Sequence, residues 1–142
     1  MRLAHPRAAM HSPTDRPVIL IAEDGDGTRQ LSCLVLESYG FVCRSAGTVE
    51  AAIALLHHDP RIDAVFSDIH FPGSSSGIEL ALRALQAPFG IPVLLTSGLA
   101  PEYVEEILPE GVAFLAKPYT PKQLLRAIRR LIRPRRHSAS AA

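Results

Sequence analysis

The chain has little that would favour a disulfide framework or a membrane span. It contains only two cysteines, Cys33 and Cys43, and so few cysteines suit free thiols in a reducing compartment. No apolar run approaches the roughly 18 residues that would cross a bilayer. Residues 1–16 also have no continuous apolar segment of the kind found in secretory signals. We therefore expect a cytoplasmic protein with no membrane partner.

Acidic residues are absent after Glu110, and basic residues are concentrated there. The formal net charge of +1 at pH 7 gives no general attraction to nucleic acid. A last helix explains the basic residues, because cations are favourable near a helix C-terminus. The arginines concerned are Arg126, Arg129, Arg130 and Arg133. No helix-turn-helix pattern follows them, and the remaining tail is too short for a DNA-binding domain, so we expect no nucleic-acid partner.

Apolar segments alternate with amphipathic segments along the chain. The apolar segments predict buried strands at residues 17–22, 41–45, 63–67, 91–95 and 112–116. The segments between and after them predict helices at residues 28–39, 48–57, 77–86, 101–108 and 121–132. This alternation predicts an α/β fold with one parallel sheet covered by helices on both faces. We expect a flavodoxin-like (βα)5 three-layer sandwich of five strands in the order 2-1-3-4-5.

The periodicity also predicts which helix faces turn inward. For the first helix it predicts Leu31, Leu34, Val35 and Ser38, and for the third helix Ile78, Ala81, Leu82 and Leu85. Pro134 is expected to end the last helix. One folded domain should therefore span residues 17–133, with a disordered arm at 1–16 and a disordered tail at 134–142.

One carboxylate stands at the end of the third predicted strand. This residue is Asp68, and Pro72 and Gly73 force the chain to turn soon after it. Right-handed crossovers place every strand's carboxyl end on one edge of a parallel sheet, where open α/β sheets bind their ligands. Because the first and third strands are neighbours, we expect Glu23 and Asp24 to face Asp68. Three other residues should reach the same edge from the fourth and fifth strands: Thr96, Ser97 and Lys117.

This set of side chains suits phosphoryl transfer. We interpret Asp68 as a nucleophile that accepts a phosphoryl group, a reaction that depends mostly on positioning and electrostatic stabilisation. Glu23, Asp24 and Asp68 would repel one another, and Mg²⁺ (or Mn²⁺) is the natural counter-ion because it prefers oxygen ligands. The Lys117 amine and the Thr96 hydroxyl could pair with phosphoryl oxygens.

Four motifs in the correct order resemble the receiver domains of bacterial two-component response regulators. They are Val18-Ile19-Leu20-Ile21-Ala22-Glu23-Asp24, Ser67-Asp68-Ile69-His70-Phe71-Pro72-Gly73, Val93-Leu94-Leu95-Thr96-Ser97-Gly98 and Phe114-Leu115-Ala116-Lys117-Pro118-Tyr119. The resemblance covers about residues 17–133. It implies a stand-alone phosphoacceptor that catalyses only its own phosphorylation and dephosphorylation. The donor would be a histidine kinase or a histidine phosphotransfer protein.

The resemblance also implies a role for each site residue. Asp68 would be the phosphoacceptor, and Mg²⁺ would bind Glu23, Asp24, Asp68 and the backbone carbonyl of His70. Thr96 would be the switch hydroxyl, Phe114 the switch aromatic residue and Lys117 the lysine that pairs with phosphate. The downstream protein would bind the face formed by residues 98–132, with Tyr103, Tyr119, Arg126 and Arg130 available to it. The protein would be a monomer or a phosphorylation-dependent homodimer.

Two positions depart from the family pattern. Phe71 stands where methionine is frequent, which is a mild apolar exchange. Gly77 comes one residue late, after Ser74, Ser75 and Ser76. The longer loop could alter the fit of a partner or the lifetime of the phosphoryl group.

Two other functions are compatible with parts of the pattern. Residues 19–28 resemble the first motif of haloacid-dehalogenase-type phosphatases, in which Asp24 would be the nucleophile and Asp26 the acid and base. That family needs further acidic metal ligands after the lysine, and this sequence has none after Lys117. Asp68 would also have no role in a phosphatase of this type. A receiver that serves only as a docking module is the other alternative. A calcium loop starting at Asp24 is excluded, because its sixth position is Arg29 and its twelfth is Val35.

Overall fold

A computed structural model describes residues 16–141 of the chain. Its strands are β1 (Val18–Ala22), β2 (Val42–Ala46), β3 (Ile62–Asp68), β4 (Val93–Ser97) and β5 (Ala113–Ala116). Its helices are α1 (Asp26–Ser38), α2 (Val49–His58), α3 (Gly77–Leu85), α4 (Pro101–Ile107) and α5 (Pro121–Ala141). The first 15 residues of the predicted N-terminal arm lie outside the described residues.

The strands form one parallel sheet in the order β2-β1-β3-β4-β5, which confirms the predicted fold. The register brings the carboxyl ends of the strands level with one another. Ala22 at the end of β1 pairs with Ser67, and Asp68 at the end of β3 pairs with Thr96. Residues that directly follow β1, β3, β4 and β5 therefore meet at one edge of the sheet.

Alternate residues of each strand point to opposite faces, and each face has its own apolar core. Ile19 and Ile21 of β1 pack with residues of α1 and α5 on one face. Val18 and Leu20 pack with residues of α2, α3 and α4 on the other face. All five residues of β1 are buried, which explains why its sequence is apolar without alternation.

The predicted inward face of α1 is correct only in part, because Val35 packs against the core but the two predicted leucines do not. Leu31 and Leu34 are 62% and 63% exposed, whereas Ser32 and Leu36 are buried. The buried stripe is shifted by one residue, which rotates the helix by about 100°. The Ser32 side chain lies near the Tyr119 hydroxyl and opposes the rise that burial causes in the pKa of Tyr119.

The predicted inward face of α3 is correct only in part. Ala81 is buried as expected, but Leu82 is exposed and the small residue Ala84 lies in the core. The helix packs closely against the sheet, so small side chains occupy positions where the sequence favours leucine.

The last helix continues beyond its predicted end. The backbone of α5 stays helical past Pro134 as far as Ala141. A proline removes a single backbone donor, and the arginine and alanine residues after it have good helix propensity. The prediction that Pro134 ends the helix was therefore wrong, and the domain limits at residues 17 and 133 stay predictions. Among the described residues, none of the helices combines the length and apolar character that a bilayer span requires.

Candidate functional site

Asp68 lies at the end of β3, where its side chain is held in a nearly closed environment. The residue is only 7% exposed. The Ser67 hydroxyl donates a hydrogen bond to the Asp68 carbonyl oxygen over 2.7 Å, and the Ile69 amide donates to the Thr96 carbonyl oxygen over 3.0 Å. The backbone on both sides of Asp68 is therefore fixed to the sheet, which fixes the direction of the carboxylate.

Two more carboxylates approach Asp68 from the loop after β1. One oxygen each from Glu23, Asp24 and Asp68 lies within 4.8 Å of the others. The Glu23 amide donates to the Ala46 carbonyl oxygen over 3.0 Å, which holds the start of this loop against β2. Glu23 is mostly buried and Asp24 is exposed, so the cluster opens toward solvent on the Asp24 side.

Lys117 supplies the positive charge of the site. Its Nζ atom lies 2.8 Å from Asp68 Oδ1 and 4.0 Å from Glu23 Oε1. Burial alone would lower the pKa of Lys117, but the hydrogen bond to Asp68 and the attraction of both carboxylates outweigh it and raise the pKa. Lys117 therefore stays protonated and faces Asp68.

The surroundings of Glu23 change its pKa strongly. Burial, followed by the hydrogen bond with Asp68, raises the pKa of Glu23 to about 7. The Gly25 amide donates to Glu23 Oε2 over 3.1 Å and opposes this shift. Glu23 therefore holds a proton near neutral pH when no other cation is present.

The three carboxylates fit a divalent cation. They offer convergent oxygen ligands, one of them solvent-exposed, and Mg²⁺ binds to a few carboxylates while it keeps several waters. The raised pKa of Glu23 reflects its burial first and the neighbouring Asp68 second, and a dication would favour the charged form of Glu23. The predicted ligand role of the His70 carbonyl stays a prediction.

Thr96 lies on β4 beside Asp68, and Phe114 lies on the outer strand β5. The Thr96 hydroxyl is buried and donates to the Leu115 carbonyl oxygen over 2.7 Å. Phe114 is half-buried and packs against the core formed with α2, α3 and α4. The hydroxyl is thus bound to β5 in this state, and the switch roles of both residues stay predictions.

Gly77 lies in close contact with Asp68, although it comes one residue later than in the family pattern. A Cβ atom at Gly77 would lie 1.9 Å from the Asp68 carbonyl oxygen, so only glycine fits. Its amide donates to the Ile69 carbonyl oxygen over 2.7 Å. The additional residue is accommodated in the loop, where Ser75 donates to Glu50 of α2 over 2.7 Å and Ser76 caps α3.

Sequence reasoning missed Arg29. Its Nη1 atom donates to the Glu23 carbonyl oxygen over 2.8 Å, and its Nη2 atom lies 2.6 Å from Asp26 Oδ1. The side chain is only 19% exposed, and Gly47 leaves space for it. Arg29 therefore ties the loop that carries the acidic pair to α1. The pair Asp26 and Arg29, three residues apart at the start of a helix, was the available signal.

The tyrosines that were expected on the output face lie in different places. Tyr103 on α4 is well exposed. Tyr119 is half-buried on the opposite face of the sheet, where its ring packs edge-on against Phe66 with 5.9 Å between ring centroids. Tyr119 packs partly against the core and is less exposed than Tyr103, and its availability to a partner stays a prediction.

Comparisons with known proteins agree with this arrangement. A family model described as the response regulator receiver domain matches residues 19–129. The phosphate regulon transcriptional regulatory protein PhoB of Pseudomonas aeruginosa is 27% identical over 119 residues, which is 81% of this chain and 51% of that protein. The chain thus spans about half the length of the curated relatives it matches.

Solved structures show the same fold. A response regulator receiver protein from Sinorhizobium medicae superimposes with a TM-score of 0.77 and 26% identity, over 83% of this chain and 95% of that one. The receiver domain of the hybrid histidine kinase CckA gives a TM-score of 0.69 and 28% identity, over 82% and 99% of the two chains.

Proposed function

Because the chain belongs to the response regulator receiver domains, which are signalling phosphoacceptors, we propose that Asp68 is its phosphorylated residue. The phosphoryl donor would be a histidine kinase or a histidine phosphotransfer protein. The observation that carries the proposal is the ion pair between Asp68 and Lys117, 2.8 Å long, at the edge of the sheet where Glu23 and Asp24 also converge.

In the proposed reaction an oxygen of the Asp68 carboxylate attacks the phosphorus of a phosphohistidine. The P–O bond of an acyl phosphate forms as the P–N bond breaks, and the departing imidazole takes a proton from water. Lys117 already touches Asp68, so its amine would meet an oxygen of the incoming phosphoryl group. Attack by water on the same phosphorus would later release phosphate and restore the carboxylate.

Mg²⁺ is part of the proposal, with Glu23, Asp24 and Asp68 as its carboxylate ligands. When bound, the ion would neutralise the negative charge that the carboxylates and the phosphoryl oxygens bring together. The chain's own residues prepare this site. Arg29 holds the loop that carries the acidic pair, and Gly77 lets the chain pass close to the Asp68 carbonyl oxygen.

The proposed output is a protein contact on the face formed by residues 98–132. Thr96 and Phe114 link Asp68 to this face. The Thr96 hydroxyl is hydrogen-bonded to β5, and Phe114 is a residue of β5. The short helix α4 contributes only one buried residue, Val104, so it would shift at low cost. In this proposal the protein catalyses only its own phosphorylation and dephosphorylation.

We place the reaction in the cytoplasm. The free thiols of Cys33 and Cys43 support this location, since a reducing compartment keeps thiols unpaired.

The phosphatase alternative receives no support from the comparisons. In the structure Asp24 is the most exposed of the three carboxylates, and Lys117 pairs with Asp68.

The decisive experiment treats the protein with acetyl phosphate and measures the intact mass with and without Mg²⁺. Wild type should gain one phosphoryl group only when Mg²⁺ is present. Asp68→Asn should gain none, because the amide is not a nucleophile. The matched variant Asp59→Asn changes an aspartate at the end of α2, away from the strand ends, and should behave like wild type.

Variants of Asp24 and Asp68 distinguish the phosphoacceptor reaction from the phosphatase reaction. Asp24→Asn should keep Asp68 as the labelled residue but require more Mg²⁺. If Asp68→Asn were labelled as well as wild type while Asp24→Asn was not, the nucleophile would be Asp24 and our assignment would be wrong.

A further inference from the structure

A basic groove lies between the end of α1 and α5, and the phosphoacceptor chemistry makes no use of it. It has a volume of about 510 Å³. The residues that line it are Tyr39, Lys122, Leu125, Arg126, Arg129 and Arg130. Four of these six side chains are cations, and acidic side chains are absent from the lining.

The cations of the groove are available to a ligand. Lys122, Arg126 and Arg130 follow one another at intervals of four residues, so they share a face of α5 with about 5.4 Å between successive turns. Arg129 lies beside them, and all four are exposed. Within the part of the chain that the structure describes, none of the four pairs with a carboxylate.

The groove also has an aromatic wall and an apolar floor. Tyr39 stands at the C-terminal end of α1 with 41% of its surface exposed, and Leu125 forms the buried floor. Arginine side chains bind phosphate through paired hydrogen bonds, and an exposed aromatic ring can stack on a nucleobase. Cations spread over two helical turns suit a ligand with more than one phosphate.

From this lining we propose that the groove binds a nucleotide that carries at least two phosphate groups. The phosphates would contact Arg126, Arg129 and Arg130, and the base would stack on Tyr39. The volume lies within the range of small-molecule sites. A protein partner needs roughly 800 Å² of surface with an apolar centre. The exposed leucines of α1, Leu31 and Leu34, do not line this groove.

The groove is distinct from the phosphorylation site. Helix α1 begins at the sheet edge that carries the acidic cluster and has 13 residues. Tyr39 at its far end is therefore about 20 Å from that edge. The inference goes beyond the proposed phosphoryl transfer, and either could fail without the other. The groove shares its α5 residues with the proposed output face at residues 98–132.

The test is isothermal titration of the full chain with ATP, GTP and pyrophosphate at low ionic strength. Mg²⁺ is omitted, so that a nucleotide cannot bind through a metal at the acidic cluster. We expect saturable binding of ATP or GTP to one site, and weaker binding of pyrophosphate, which lacks a base. The variant Asp68→Asn should bind equally well, because the acidic cluster takes no part.

Matched variants locate the site. Arg126→Gln and Arg130→Gln keep the helix propensity, and each should raise the dissociation constant about tenfold by removing charged hydrogen bonds. Arg126→Lys should recover part of the loss. Tyr39→Ala should weaken nucleotide binding and leave pyrophosphate binding unchanged. The control Arg83→Gln removes an exposed arginine of α3 on the other face of the sheet and should have no effect.

Four results would overturn the proposal. The first is that neither ATP nor GTP binds, and the second is that Arg83→Gln loses as much nucleotide affinity as the groove variants. The third is that pyrophosphate binds as tightly as the nucleotides. The fourth is that an acidic peptide or a single-stranded oligonucleotide binds more tightly than the nucleotides. The third result would mean attraction of phosphate without recognition of a base. The last would mean that the groove serves a macromolecular partner.

Discussion

The Thr96 hydroxyl donates a hydrogen bond to the Leu115 carbonyl oxygen, 2.7 Å away. This bond joins the residue opposite Asp68 to the middle of β5, beside Phe114. If a phosphoryl group on Asp68 attracts the hydroxyl, this bond must break. The carbonyl of Leu115 is then free, and the space beside Phe114 changes.

We predict that Thr96→Ala takes up phosphate on Asp68 but does not transmit the change to β5 and α4. Hydrogen exchange with and without beryllofluoride, a phosphoryl mimic, measures this. Wild type should change protection at residues 98–120, and Thr96→Ser should behave like wild type because it keeps the hydroxyl. Protection changes confined to residues 25–28 and 71–77 in wild type would contradict the switch mechanism. The loss of one hydrogen bond should destabilise Thr96→Ala by only about 1 kcal/mol.

The affinity for Mg²⁺ should fall as the pH falls through about 7, because burial and Asp68 raise the pKa of Glu23 to that value. The ion must displace the proton that Glu23 holds below this pH. Titration with Mg²⁺ at pH 6 and pH 8 checks the effect, and Glu23→Gln should bind more weakly and show a smaller pH dependence. An unchanged affinity across this range in wild type would exclude Glu23 as a ligand.

The same shift predicts how stability varies with pH when Mg²⁺ is absent. The pKa of Glu23 is higher in the folded state than its ordinary value of 4.5, so the folded protein binds more protons between pH 4.5 and about 7. Glu23 therefore makes the free energy of unfolding decrease as the pH rises through this window. Urea unfolding at several pH values should show this slope in wild type and a weaker one in Glu23→Gln.

Arg29 is expected to support the metal site without touching the metal. Arg29→Gln loses the bond to the Glu23 carbonyl oxygen, and residues of this kind commonly change metal affinity about tenfold or more. Arg44→Gln is the matched control, because Arg44 also pairs with an aspartate but lies on β2. Both variants should lose similar stability, and only Arg29→Gln should lose Mg²⁺ affinity. If the two variants had equal Mg²⁺ affinities, Arg29 would contribute to stability alone and not to the metal site.

Gly77→Ala should disturb Asp68 through the backbone. The new methyl group would overlap the Asp68 carbonyl oxygen, so the loop or the end of β3 must move, at a cost of about 1–3 kcal/mol. Gly27→Ala on α1 is the control, because its methyl group meets no atom within 4 Å and alanine favours the helix. Thermal unfolding and acetyl phosphate labelling of both variants should show losses in Gly77→Ala alone. Normal labelling of Gly77→Ala would show that Asp68 tolerates the displacement.

The sequence was sufficient to predict the sheet and the edge that carries the candidate site, because buried parallel strands are continuous apolar runs that stop at polar residues. Helix rotation was harder to predict. The apolar residues Leu31 and Leu34 suggested an inward face for α1, yet Ser32 is buried instead, near Tyr119 from a distant part of the chain. Arg29 escaped prediction for the same reason, since its role depends on a backbone oxygen that periodicity does not reveal.

The basic groove includes Tyr39 at the end of α1 that is far from the acidic cluster, so the two charged regions are offset along the layer formed by α1 and α5 and give it an electric dipole. A charged partner would be turned by this dipole before contact, and its rate of association would fall as ionic strength rises. At the acidic end, phosphorylation replaces the single negative charge of the Asp68 carboxylate by a phosphoryl group that carries about −1.5 to −2. The phosphorylated molecule would therefore present itself to partners in a more sharply defined orientation than the unphosphorylated one.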